Sequence, residues 1–125
     1  MTDAHVWTVD DHLHGASPEH VALWREVAGL IEACGPVEVV VHKTTITFKG
    51  TRRGFAGARP DAGGVVGFLD LMRPVDTDPR ITSVAPYTHR LFVNHFRVRS
   101  TTDLDDTFAE WVREAYAVGA GAHLD

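Results

Sequence analysis

The clearest periodicity in the chain lies between residues 18 and 33. Apolar side chains fall at Val21, Trp24, Val27, Ala28, Leu30 and Ile31, the helical repeat with a wide buried stripe. Ser17-Pro18-Glu19 ahead of it supplies an N-cap hydroxyl, a proline at the first helical position and an acid in the first turn. Gly35-Pro36 ends the segment. A second helix follows from Leu104, Phe108, Trp111, Val112, Ala115 and Val118, introduced by Ser100 and Asp103 as a capping box with Asp in place of Glu. A shorter turn of helix is expected over residues 9–14, capped by Thr8 with Asp11 three residues on, and leaving through Gly15.

Between these helices the period changes to two. Residues 37–49 are rich in β-branched and aromatic side chains and predict one long strand, bent or bulged near residues 42–44. Residues 50–54 and 60–64 are turns, bounding a small-residue strand at 55–59 and a further strand at 65–72. Pro74, Pro79 and Pro86 interrupt the next stretch, so residues 75–88 read as an ordered loop with one turn of helix. Residues 90–99 form the last strand, with Phe92, Asn94, Phe96 and Val98 on one side and Leu91, Val93, His95 and Arg97 on the other. The expectation is an α+β fold: a short antiparallel sheet of about four strands, packed by an N-terminal and a C-terminal helix. It forms a single domain over residues 1–125, frayed at 1–7 and 119–125.

Composition bounds the function. With 125 residues and 44% hydrophobic content the chain can bury one core without disulfides. The single cysteine, Cys34, and an acidic N-terminus without a basic-then-apolar leader point to a reducing, cytoplasmic setting. The apolar runs are too short to span a bilayer, so no membrane is expected as a partner. The net charge of −5 hides an asymmetry: residues 40–99 carry ten Lys/Arg against four Asp, a balance of +6, and the flanks together carry −11. Either the centre attracts anions, or basic strands and acidic helices pair with each other.

The candidate chemistry sits on the strands. Lys43, Thr45, Arg59, Arg90, Asn94, His95 and Arg97 are the candidate ligand-binding residues, because strands about 4.8 Å apart can converge their side chains on one anion. His95 and His42 are the candidate acid–base residues, with Lys43 as a nucleophile or charge holder. The plainer reading makes the same lysines and arginines a solvated, edge-blunting surface, and His95 a structural residue. His12, His14 and His20 lack any recognised ligand spacing, so no metal is expected, and no cofactor is implied. Gly54-x-x-Gly57 and Gly63-Gly64-x-x-Gly67 have no helix start behind them and do not make a dinucleotide loop. Ser17, Ser83 and Ser100 lie at caps or loops without a nucleophile elbow.

Four stretches carry a family resemblance: Trp7 to Leu13, Lys43 to Lys49, Phe92 to Ser100, and Asp103 to Tyr116. Together they resemble the small bacterial domain-of-unknown-function family 5655, and more loosely the YdhG-like and YjbR-like α+β domains. The resemblance implies the same α+β layout and no settled activity. Relatives joined to nuclease-like modules imply nucleic acid as a partner by association only. By position, the family's strand lysine falls on Lys43 and its strand histidine on His95. Asn94 stands where the family pairs a second histidine, and His42 where a small or basic residue is expected. Three functions follow as expectations: an ancillary domain binding a small acid, phosphate or nucleic acid on a basic sheet face; a small enzyme of specialised metabolism using His95 or His42, with Lys43 and Arg90 holding substrate charge; and a homodimer or interaction module formed through a sheet edge.

Overall fold

The computed structural model describes residues 6–88 and 90–124. Of the termini expected to fray, residues 1–5 and 125 lie outside this range. The first two helices form where caps and periodicity place them, and the third keeps its periodicity behind a different cap. Helix α1 (Val9–Leu13) opens on Thr8, whose side chain and that of Asp11 satisfy each other's backbone N–H groups. Helix α2 (Pro18–Glu32) opens on Ser17, whose hydroxyl accepts from the His20 N–H. Helix α3 (Asp106–Gly119) is capped by Asp105; the Ser100–Asp103 box closes only a single 3₁₀ turn just before it.

Among the described residues the sheet has six strands rather than about four. They are β1 (Glu38–Val41), β2 (Ile46–Lys49), β3 (Gly54–Asp61), β4 (Gly64–Leu71), β5 (Ile81–Thr88) and β6 (Leu91–Val98), in the spatial order β1-β2-β3-β4-β6-β5. All neighbouring pairs are antiparallel. Two corrections account for the difference. The long strand expected over residues 37–49 is a hairpin, closed where the His42 N–H donates to the Thr45 carbonyl. The loop expected over residues 75–88 contains β5, which tolerates Pro86 because it is an edge strand paired on one side only.

All three helices pack on one face of the sheet, chiefly against β3 and β4. Ile46, Phe48, Ala56, Ala58, Val65, Leu69, Phe96 and Val98 meet Trp24, Val27, Ile31, Phe108, Trp111 and Ala115 there in one core. A central pin is the Trp24 indole N–H, which donates to the Ala58 carbonyl at 2.8 Å. Among the described residues the opposite face carries no helix. No helix among the described residues is long and apolar enough to cross a membrane.

Candidate functional site: a cup on the uncovered sheet face

The uncovered face is shaped by its cross-strand rows. One row runs Arg59–Val66–Arg97 across β3, β4 and β6, and the next runs Thr47–Gly57–Phe68–His95–Ser83 from β2 to β5. A Cβ on Gly57 would collide with the Phe68 ring, so only glycine lets that ring lie across β3. At the far side, β5 shifts register between Ile81 and Ser83, which brings Thr82 and Ser83 together to the rim. The result is a concavity of about 540 Å³, within the size range of small-molecule sites. Val66 and Phe68 lie at its centre, Thr44 and Thr45 on the β2 side, Thr82, Ser83 and His95 on the β5–β6 side, and Arg59, Asp61 and Arg97 towards the β3–β4 turn.

Its charges are unequal. Arg97 grips Asp61 with both ends of its fork, at 2.7 and 2.8 Å. The Asp61 Oδ1 also accepts the Gly63 N–H at 2.8 Å. The Arg97 fork, helped by the Gly63 bond, holds the Asp61 carboxyl below its ordinary range. A Cβ on Gly63 would strike the Arg97 guanidinium, so the turn's glycine makes room for this pair. Arg59, exposed in the same lining, makes no hydrogen bond or ion pair among the described residues.

The candidate residues are brought together only in part. Thr45, Arg59, His95 and Arg97 line the cup; Lys43, His42, Arg90 and Asn94 do not. His42 and Lys43 lie exposed in the β1–β2 turn, where the His42 carbonyl accepts from the His12 Nε2–H at 2.7 Å. Arg90 sits in the turn between β5 and β6, in the left-handed region at φ 71°. Asn94 is fully buried beneath the helices. Its Oδ1 accepts from the Val75 N–H, and its amide donates to the Arg73 and Phe92 carbonyls. Sequence reasoning missed Phe68, Asp61, Thr82 and Ser83. The alternation of Val66 and Phe68 away from the buried Leu69 was the available signal for the floor; Thr82 and Ser83 were hidden with β5.

Much of the central positive charge is already matched. Arg53 pairs with Asp70, Arg73 with Glu114, and Arg80 with both Asp78 and Asp105. Asp70 shares the uncovered face, under Arg53, whose guanidinium lies 5.3 Å over the Tyr87 ring. Burial pushes its carboxyl up to about 6, outweighing the opposing pull of Arg53. Cys34, half-buried at the end of α2, has its thiol raised by burial and contacts the Leu30 carbonyl. Among the described residues no three His, Cys, Asp or Glu side chains gather as a metal set would.

Fold and site together define a small α+β domain that covers one face of an antiparallel sheet with helices and hollows the other into a ligand-sized cup. The chain belongs to the family described as Domain of unknown function (DUF5655), whose match covers residues 9–119. No curated protein and no solved structure matches it significantly. These comparisons do not show the looser likeness to YdhG-like and YjbR-like domains.

Proposed function

We propose that this domain binds a small anionic molecule in the cup on the uncovered sheet face. The observation that carries the reading is Arg59: a cation with no ion pair among the described residues, facing the same concavity as His95 and the threonine and serine hydroxyls. A carboxylate or phosphate oxygen there gains charge-assisted hydrogen bonds from the guanidinium. Cup geometry favours a small ligand over a polymer, because exposed cations such as Lys43, Arg52 and Arg99 do not join Arg59 in its lining. An acid–base enzyme built on the same cup would rely on His95, with Arg59 rather than Lys43 or Arg90 holding the charge.

The test is an NMR titration of ¹⁵N-labelled protein with benzoate and with inorganic phosphate. Amide shifts are expected at Gly57, Phe68 and His95, with affinity for at least one probe weakened about tenfold or more in Arg59→Gln, the usual cost of a lost bond to a charged group. Shifts scattered over the acidic helices, or affinity indifferent to Arg59, would discard the reading. Retention on nucleic acid that falls steeply with salt, with shifts outside the cup, would replace it by a polymer-binding one.

A further inference from the structure

Resting on that reading, the layout of the cup narrows the class of anion. Arg97 and Asp61 pair through a two-bond fork, and Arg59 feels the Asp61 charge without a direct bond to it, so the three groups leave the β3–β4 end with one net positive charge. Away from it, across Val66 and Phe68, the β5–β6 end presents groups of a different kind. These are the His95 ring, the Ser83 hydroxyl and Thr82, whose Oγ1 is already committed to the His95 carbonyl at 3.3 Å. Arg59 and His95 lie two strands apart and one side-chain repeat along, roughly 12 Å at their Cα atoms. With both side chains facing the same cavity, the space left between them suits one planar ring with a short arm. The floor under that space is apolar, and the Phe68 ring is held across Gly57.

We propose that the cup selects a planar monocarboxylate carrying a neutral hydroxyl at its far end, with the carboxylate on Arg59, the ring over Val66 and Phe68, and the hydroxyl between His95 and Ser83. Such a ligand satisfies the single charge and uses the polar far end. A dicarboxylate of the same length would bring a second charge to a side whose one lining arginine, Arg97 on β6, is already forked onto Asp61, and a purely apolar far end would leave His95 and Ser83 covered but unbonded.

The experiment compares cinnamate, 4-hydroxycinnamate and 4-carboxycinnamate by calorimetry at pH 8, above the usual histidine titration range. The wild type is measured beside Arg59→Gln, His95→Ala and Ser83→Ala, each first checked for an unchanged thermal unfolding curve. The 4-hydroxy compound is expected to bind about three- to tenfold tighter than cinnamate, the contribution of one neutral hydrogen bond. The affinity ratio of the 4-hydroxy compound to cinnamate should fall to about one in His95→Ala or Ser83→Ala, and the dicarboxylate should bind no tighter than cinnamate. Cinnamate binding that depends on Arg59 but gains nothing from the hydroxyl overturns this inference and leaves the anion reading standing. A gain that survives both far-end variants, or a dicarboxylate that binds tightest, overturns it in the same way. Failure of cinnamate to bind the wild type overturns both.

Discussion

Asp70 sits on the uncovered side of β4, yet only 4% of it meets solvent. One carboxylate oxygen reaches the Arg53 guanidinium at 2.9 Å, and the other, Oδ1, is buried with no hydrogen-bond partner. Desolvation of that half-satisfied carboxylate raises its ionisation from the ordinary 3.8 to about 6. The native state therefore holds its proton more tightly than the unfolded chain does. Any stability this confers is complete below the unfolded value and is lost as pH climbs through about 6. At about 1.4 kcal/mol per pH unit, the native state loses about 2 kcal/mol on this account between pH 4.5 and 7.5. Asp61, Asp78 and Asp105 have their carboxyls lowered by arginine partners and act in the opposite sense. A difference measurement removes them: wild type against Asp70→Asn, urea unfolding followed by tryptophan fluorescence, at several pH values across that window. The wild type should lose ground to the variant steadily as pH rises. A difference that stays flat, or that grows in favour of the wild type towards neutral pH, would refute the argument that desolvation outweighs the Arg53 pair.

Two further substitutions separate structural from site roles. Asn94→Ala orphans the Val75 N–H and the Arg73 and Phe92 carbonyls, so it should cost about 2–4 kcal/mol in urea unfolding. Benzoate affinity of the folded protein should stay unchanged, because Asn94 lies under the sheet rather than in the cup. Arg80→Ala removes a fork on Asp78, bonds to Asp105 and the Asp103 carbonyl, and a guanidinium 4.9 Å over the Trp111 ring. Thermal unfolding should report a loss of about 2–4 kcal/mol, with Arg80→Lys recovering less than half because an ammonium cannot reproduce the fork.

The helices were legible because local chemistry marks their ends: Ser17-Pro18 and Thr8 begin where capping predicts. The sheet was under-counted for two physical reasons. The β1–β2 turn contains His42-Lys43-Thr44-Thr45, with no glycine or proline to set it apart from the flanking β-branched run. That turn also reverses the parity expected from one continuous strand, so Val39 and Val41, not Val40, align with Phe48 and Ile46. Strand β5 carries Pro86, and a proline that signals interruption in a central strand is harmless at an edge. Of the candidate site, alternation along residues 90–99 sets His95 and Arg97 on one face, and both line the cup; Arg59 carries no such face assignment in the sequence. The same alternation grouped Asn94 with Phe96 and Val98, which are core residues, so its own parity opposed a surface role. That Arg97 would be neutralised by Asp61 depends on a contact between β6 and the end of β3, 36 residues apart and beyond the reach of local pattern.

The strand order has a consequence for how the cup holds its shape. From β4 the chain runs out to the edge as β5 and returns as β6, so a single ladder, β4 to β6, joins the β5–β6 hairpin to the rest of the sheet. Thr44, Thr45, Arg59 and Phe68 lie on one bank of that seam, and Thr82, Ser83 and His95 on the other. A molecule seated across it would act as a clamp between two cooperative units. Part of its binding energy would then appear as slower amide exchange in β6, and any fluctuation that parts the seam would also release whatever the cup contains.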